Sequence, residues 1–233
     1  MQLAKNKNEE IIIRILYGLE TNKLSVTNIE KLYAVDSENE LVRWFLLQII
    51  QGQENKYNDK GNYNSKIEFD AEIEQVSGLI EKIVSEKLRE DLDYFYLMQA
   101  HISFWQKDFS NAEKTLKNIK KRSAISGERG LLEFAIDLAK LEKVDEKIEK
   151  RYFARISEMP YSDTKDELVE LWLSTFKRLY KLQGDTAKAY FCFNKTDQFR
   201  NNFELSNMYA AEKYLLSGKT FSDFEMFIIG DVE

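Results

Sequence analysis

Apolar residues recur at helical spacing along most of this chain. Between residues 67 and 86, the apolar side chains form one stripe and the charged ones lie elsewhere, the pattern of a helix buried on one side. The run from Leu41 to Ile50 is apolar all round and predicts a helix buried between neighbours. Only one proline and nine glycines interrupt the 233 residues. So few helix breakers favour an all-α fold.

Polar turns divide this helical pattern into pairs. Aligning the turns at Lys107, Lys143, Gly184 and Gly218 gives spacings of 36, 41 and 34 residues. Each pair has more apolar surface than it can bury alone, so neighbouring pairs should pack on one another. The sequence therefore predicts a right-handed α-solenoid of about six antiparallel helix pairs. We expect one domain over residues 1–233, with N-terminal pairs in 1–53 and a main stack in 67–233.

The stretch from Gly52 to Lys66 interrupts the pattern. It reads GQENKYNDKGNYNSK, rich in turn-forming residues and without an apolar period. We expect an irregular, exposed loop here, with the loop proper over residues 54–66.

Two of the turns share a sequence pattern. Ala112 lies four residues after Asp108, and Ala189 lies four residues after Asp185 within the segment LQGDTAKAYFCF. In the pair after Lys143 we expect Ile148 at the alanine's place. With a period near 34 residues, the chain resembles the tetratricopeptide repeat family, most clearly over residues 90–233. The other positions that carry this resemblance are Ala100, Pro160, Tyr180, Ala211 and Tyr214.

The net charge and the number of cysteines indicate which class of partner and which cellular compartment to expect. The net charge is −6, and a nucleic-acid partner usually requires a basic surface, so we do not expect one. A lone cysteine, Cys192, forms no internal disulfide and fits a reducing compartment; we expect a buried, inert thiol in a cytoplasmic protein. No signal peptide or membrane span is visible in the sequence.

Catalytic signatures are missing from the sequence. One histidine and one cysteine exclude a histidine-rich metal site or a zinc ligand set. No nucleophile elbow, phosphate-binding loop or dinucleotide fingerprint occurs. We expect no catalytic residue, no metal and no cofactor. A helical enzyme that acts through paired carboxylates stays open as an alternative.

The predicted helix from Arg89 to Gln106 carries two apolar stripes, although a surface helix needs only one. The second stripe contains Tyr94, Leu97, His101 and Trp105. The tetratricopeptide resemblance implies that the first helix of each unit lines a concave groove, which would place this stripe on the groove wall. The alternative is that both stripes belong to the core.

Shifting this stripe by the repeat spacings extends the groove along the chain. The position of His101 then corresponds to Asp137, Arg178 and Glu212, a line of four ionisable groups that could hold an extended peptide. Arg178 is the best candidate for a bidentate contact with a carboxylate. Alternatively, Asp137 and Arg178 pair with each other. The candidate binding residues are Tyr94, Leu97, His101, Trp105, Asp137, Arg178, Lys181 and Glu212.

Two binding functions follow from these expectations. The first is a non-enzymatic scaffold that binds a protein or peptide in the groove. The second is the sensor domain of a bacterial peptide-responsive regulator, a class that the segment from Leu92 to Leu116 resembles. The oligomeric state is left open, including a homodimer.

Overall fold

The computed structural model describes residues 5–20, 26–58, 71–159, 163–196 and 205–230. These residues form helices and no strand, which confirms the predicted all-α class. The helices are α1 (Lys7–Glu20), α2 (Val26–Val35), α3 (Glu40–Asn58), α4 (Ala71–Glu86), α5 (Leu92–Trp105), α6 (Phe109–Leu116), α7 (Ser126–Ala139), α8 (Glu146–Ser157), α9 (Asp163–Gln183), α10 (Thr186–Thr196), α11 (Leu205–Leu215) and α12 (Asp223–Ile229).

The chain divides into two compact units, Met1–Glu133 (unit 1) and Phe134–Glu233 (unit 2). In unit 1, α2 packs against α1, α3 and α4, and α5 packs against α3, α4 and α6. In unit 2, α10 packs against α9, α11 and α12, and α12 also packs against α8. The prediction of a single domain stays a prediction.

The core of unit 1 is mainly aliphatic, with Tyr33, Phe45, Phe95 and Trp105 among its buried residues, and it follows the predicted stripes. Helix α4 buries one face, which contains Ile73, Val76, Ile80 and Ile83, as its sequence pattern indicates. The side chains that α3 buries lie on more than one side of the helix, while Trp44 remains partly exposed. The buried residues of α3 are Val42, Phe45, Leu46, Ile49 and Ile50.

The core of unit 2 is built on aromatic rings around Phe176. Its ring meets those of Tyr152, Trp172 and Tyr180 edge to face, with centroids 5.6–5.9 Å apart. Phe224 of α12 packs on the same ring at 5.7 Å. Edge-to-face contacts at these separations are favourable because the positive ring edge meets the negative ring face. Helices α8, α9 and α12 are thereby held around one aromatic cluster.

Two of the four predicted turns have the same backbone geometry. Lys107 and Gly184 adopt left-handed φ values of 61° and 79°. At each turn, the amide of the following aspartate donates back across the helix end, Asp108 to the Ser103 carbonyl and Asp185 to the Tyr180 carbonyl, both at 2.9 Å. This is the Schellman arrangement, which satisfies carbonyls left over at a helix end.

The same aspartates also begin the next helix. Asp108 Oδ1 accepts from the Asn111 amide at 3.0 Å, and Asp185 Oδ1 accepts from the Lys188 amide at 3.1 Å. These are N-cap hydrogen bonds, which satisfy amides that have no partner within the helix. A single aspartate therefore ends one helix and begins the next in both pairs.

The turn predicted at Lys143 differs in detail. Lys143 is not among the left-handed residues, and the N-cap of α8 is Asp145, whose side chain accepts from the Ile148 amide at 2.9 Å. Counting four residues on from the N-cap gives Glu149, where the other two pairs have Ala112 and Ala189. The assignment of Ile148 to the alanine's place was therefore wrong by one residue.

The first part of the stretch predicted as a loop is helical. Helix α3 continues to Asn58, so residues 52–58 are helical and the expectation of an irregular stretch from Gly52 was wrong there. Gln, Glu and Lys propagate a helix well even without an apolar period. Residues 59–66 lie outside the described residues, as do Pro160 and the first four residues, 67–70, of the helix predicted over 67–86.

The left-handed turns give a matched pair of stability predictions. Gly184→Ala should destabilise the protein by about 1–2 kcal/mol, the cost of placing a Cβ in the left-handed region. A Cβ at Gly184 would meet no atom within 4 Å, so that cost is conformational and not steric. Lys107→Gly should instead stabilise by about 0.5–1 kcal/mol, because relief of the left-handed strain exceeds the added unfolded-state entropy. Urea denaturation measures the change in unfolding free energy for each variant. A change of the same sign in Gly184→Ala and Lys107→Gly would contradict the left-handed turn geometry.

The second helix of the α5–α6 pair begins with a tightly packed alanine. Ala112 is fully buried, and we expect Ala112→Leu to cost roughly 1–3 kcal/mol through overpacking. Ala187, expected from its helix position to tolerate a larger side chain, is in fact buried and is no control. The exposed Ala154 provides one, and Ala154→Leu should leave the melting temperature nearly unchanged. Equal melting of wild type and Ala112→Leu would contradict this packing.

Candidate functional site

The predicted site residues of unit 1 lie on α5 and are only partly accessible. Trp105 is buried, while Tyr94, Leu97 and His101 are half-buried. Every residue from Asp91 to Trp105 is at least half-buried, so neither stripe of this helix faces open solvent. The Arg43 guanidinium covers the Tyr94 ring at 4.4 Å from its centroid. In unit 1 the two stripes therefore behave more like core than like an open groove wall.

His101 is held in its neutral form. Burial lowers the pKa of His101 to about 4, well below its ordinary value of 6.5. Its ring lies 4.5 Å from the Trp105 ring and 6.4 Å from the Phe104 ring. A neutral imidazole among aromatic rings suits a packing role more than the binding of a charged ligand.

The predicted site residues of unit 2 are more accessible. Asp137, Lys181 and Glu212 are exposed, and Arg178 is half-buried. Asp137 pairs with Arg155 at 3.0 Å and not with Arg178, so the alternative pairing was wrong. Arg178 makes no ion pair with another described residue. Because His101 belongs to unit 1, the single line of four ionisable groups stays a prediction.

Helices α9 and α11 present unusually exposed apolar side chains in unit 2. Leu182 is 74% exposed and Leu216 is 77% exposed, and the two are 34 residues apart, one repeat period. Met208 and Glu212 of α11 precede Leu216, the first residue after α11, at four-residue spacing and are also exposed. We call the residues Arg178, Lys181, Leu182, Met208, Glu212 and Leu216 the α9/α11 face.

A small cavity opens beside this face. Its volume is about 110 Å³, and it is lined by Lys177, Lys181, Thr186, Ala189, Tyr190, Phe193 and Asn207. These residues come from α9, α10 and α11, which shows that the three helices meet here. The Lys177 ammonium lies 4.8 Å from the centre of the Phe193 ring. We call this feature the lysine cavity; it includes one residue, Lys181, that the sequence singled out.

A group of buried charges in unit 2 was not anticipated from the sequence. Lys188 donates to Glu149 at 2.6 Å and lies 3.0 Å from Glu225, and all three side chains are almost fully buried. We call them the buried ion triad. Glu149 also accepts from the Tyr180 hydroxyl at 2.7 Å, and Glu225 accepts from Lys219 at 2.8 Å and from the Tyr214 hydroxyl. The triad joins α8, α10 and α12.

The charged forms of Glu225 and Lys188 are favoured by their partners. Burial alone would raise the pKa of Glu225, but hydrogen bonds from Lys219, Tyr214 and the Ser222 amide outweigh it and hold the pKa far below its ordinary value. Burial alone would lower the pKa of Lys188, yet Glu149 and Glu225 raise it. Closed off from solvent and fully partnered, the triad is a structural network that offers no access to a substrate.

A second charged cluster lies in unit 1. Arg89 donates to both carboxylate oxygens of Asp91, at 2.7 and 2.9 Å, and to the carbonyls of Ser37 and Asn39. Arg43 reaches the same carboxylate at 3.1 Å. Partial burial would raise the pKa of Asp91, but Arg89 and then Arg43 lower it overall. This cluster ties the segment between α2 and α3 to the start of α5.

Cys192 is fully buried in α10, as expected. Burial, with the nearby charge of Glu149, raises the pKa of its thiol well above the ordinary value. The reactive thiolate is therefore disfavoured, which fits the predicted inert role.

The described residues show no grouping of three or more histidine, cysteine, aspartate or glutamate side chains that could hold a metal ion. In the same part of the chain, each helix is too short or too polar to cross a lipid bilayer.

Comparisons with known protein families, curated proteins and solved structures find no match to this chain.

Proposed function

We propose that this protein is a non-enzymatic binding scaffold and that unit 2 binds a peptide or a segment of a partner protein on the α9/α11 face. The observation that carries the proposal is the exposure of Leu182 and Leu216, the two most exposed of the large apolar side chains described. Exposed apolar side chains mark an interaction site where they form one contiguous patch, and a repeat arrangement would bring Leu182 and Leu216 into one patch.

The repeat supports the same assignment. Leu182 and Leu216 occupy equivalent places in consecutive helix pairs, as do Arg178 and Glu212. In an antiparallel, tetratricopeptide-like arrangement, equivalent places of the first helices lie side by side along one wall. A bound segment would then meet apolar contacts at a regular interval, with Arg178 and Lys181 available for its acidic groups.

The accessible cations favour a segment with negative charge. Arg178 and Lys181 make no ion pair with another described residue, and both lie within one helical turn of Leu182. A carboxylate that bound to Arg178 would gain charge-assisted hydrogen bonds without breaking an existing ion pair.

We expect the double substitution Leu182→Ser/Leu216→Ser to abolish binding while leaving the fold intact. Both side chains are mostly in solvent, so the change in melting temperature should be small. The probes are peptides selected from a random displayed library on the wild-type protein. Affinities of the same peptides for wild type and variant, measured by fluorescence anisotropy, should differ by at least about tenfold. Arg178→Ala should weaken acidic peptides most.

Leu88→Ser is the matched control, because Leu88 is also largely exposed but lies in unit 1. It should leave peptide affinity unchanged. Equal losses in Leu88→Ser and in the double variant would contradict the proposed face. If Arg178→Ala lowers the melting temperature but leaves peptide affinity unchanged, Arg178 has a structural role instead.

A further inference from the structure

Residues 114–122 form a strongly basic segment of an acidic chain. Their sequence, KTLKNIKKR, contains five cations and no acidic residue, although the whole chain has a net charge of −6. All five cationic side chains are exposed, and we call Lys114, Lys117, Lys120, Lys121 and Arg122 the basic patch. We propose that the basic patch binds a short acidic segment of a partner protein. This second docking surface lies in unit 1 and does not rest on the function proposed for unit 2.

The backbone beneath the basic patch is anchored to the rest of unit 1. Leu116 and Ile119 are buried between the exposed cations. Arg129 Nη1 donates to the Ile119 carbonyl at 3.0 Å, and the Lys120 amide donates to Asp93 Oδ1 at 3.4 Å. These contacts use the apolar side chains and the backbone, so the cationic side chains remain at the surface. A ligand would therefore not have to order the segment before binding it.

Helix capping accounts for only part of this charge. Lys114 lies in the last turn of α6 and Lys117 is its C-cap residue, where a cation interacts favourably with the helix dipole. Lys120, Lys121 and Arg122 lie beyond the end of α6. Because the dipole effect falls off within the last turn, it does not explain these three cations.

The charge around the basic patch favours a short acidic segment over an extended polyanion. A membrane surface or a nucleic-acid duplex would reach beyond nine residues and meet the remainder of this chain, which is acidic. Like charges repel when they approach within about 8 Å, the screening length at physiological salt. A few aspartate or glutamate side chains confined to the basic patch avoid that repulsion. In sequence, the nearest acidic residues, Glu113 and Glu128, lie outside the patch.

The composition of the basic patch also suits carboxylates. Four of its five cations are lysines. A lysine ammonium is a compact charge with three rotatable donors, whereas the planar fork of arginine is the usual group for nucleic-acid phosphates. Lysines can pair with the carboxylates of an extended peptide in many orientations. Such binding is electrostatic, so it should weaken as salt is added.

The probe is a fluorescein-labelled peptide with a run of about six glutamates, which extends over about 20 Å. Fluorescence anisotropy at low salt should show saturable binding to the full chain. A peptide with glutamine in place of each glutamate should bind at least about tenfold more weakly. The triple variant Lys117→Gln/Lys120→Gln/Lys121→Gln should weaken the glutamate peptide by a similar factor. Its melting temperature should be nearly unchanged, because all three positions are exposed.

A matched variant controls for total charge. Lys143→Gln/Lys147→Gln/Lys150→Gln removes three exposed lysines of unit 2 that are interspersed with acidic residues. It should leave the affinity for the glutamate peptide nearly unchanged. Equal losses in the two triple variants, equal binding of the glutamine peptide, or no saturable binding would overturn the proposal.

Other polyanions and the α9/α11 face complete the test. Vesicles containing phosphatidylserine and a DNA duplex should bind more weakly than the glutamate peptide at the same salt; tighter binding of either would overturn the choice of ligand. Leu182→Ser/Leu216→Ser should keep glutamate-peptide binding, and its loss there would assign the acidic ligand to the α9/α11 face and overturn the basic patch. If library peptides fail to bind wild type while the glutamate peptide binds, the proposed function is wrong and the basic patch stands.

Discussion

Lys188→Met should destabilise unit 2 by about 3–5 kcal/mol, because it leaves two buried carboxylates without their shared cation. Glu149 would keep only the Tyr180 hydroxyl as a charge-stabilising donor among the described contacts of the triad, whereas Glu225 would keep Lys219 and Tyr214. Urea denaturation followed by circular dichroism measures the loss. Among the substitutions considered, this one should have the largest effect on stability.

A double variant separates the loss of charge balance from the loss of packing. Glu149→Gln combined with Lys188→Met removes both facing charges and keeps the shapes of the two side chains. Since an uncompensated buried charge is the main cost, the double variant should recover at least half of the lost stability. A double variant as unstable as Lys188→Met alone would show that packing, and not charge, dominates.

The same network predicts acid sensitivity. The pKa of Glu225 is lowered in the folded state, so the folded protein binds fewer protons there than the unfolded chain does. The resulting stability is present above the ordinary glutamate value of 4.5 and is lost as the pH falls below it. In Glu225→Gln the fall in stability below that pH should be shallower than in wild type.

Arg89→Lys should cost unit 1 about 2–3 kcal/mol even though the charge is kept. The planar guanidinium binds both oxygens of Asp91 and two backbone carbonyls, and one ammonium cannot reproduce that fork. The side chain is almost fully buried, so the acceptors it leaves would not regain water. Urea denaturation should show a lower midpoint with a similar slope.

Arg43→Lys is the matched control at the same carboxylate. Arg43 is more exposed and makes one hydrogen bond to Asp91, so its replacement should cost less than about 1 kcal/mol. Similar losses for Arg89→Lys and Arg43→Lys would mean that Asp91 needs only a nearby positive charge and not the particular geometry of Arg89.

The turns were the most predictable part of the fold, since their chemistry is local. Lys107, Gly184 and Gly218 were placed from sequence at turns, and all three have left-handed φ values. The turn at Lys143 was placed only approximately, because the N-cap of α8 is Asp145, one residue later than the alignment of the turns implied. Local residue types locate a turn, but alignment on the turn alone does not identify the residue that caps the next helix.

The end of α3 shows a second limit. Residues 52–58 lack an apolar period, and that absence suggested a loop although the helix continues to Asn58. Apolar periodicity reports burial of a helix face. A helical segment that has no such face gives no periodic signal, even when its residue types support a helix.

The binding role of the candidate site residues stays a prediction. Exposure of Asp137, Lys181 and Glu212 agrees with positions on an accessible wall, while burial of Trp105 does not. The sequence does not predict the buried ion triad, because Glu149 and Lys188 are 39 residues apart and neither stands out from the surface charges around it in the sequence. One signal was available: Glu149 stands four residues after an N-cap aspartate, where two other pairs have a buried alanine.

The turns at Asp108 and Asp185 also limit how the chain can change length. In each, one aspartate donates its amide to the helix behind it and accepts with its side chain from the helix ahead. An inserted residue would have to divide these two roles between two positions, and a deletion would remove one of them. Insertions and deletions should therefore be tolerated poorly at these turns, so that the relative register of the paired helices is fixed by a single residue.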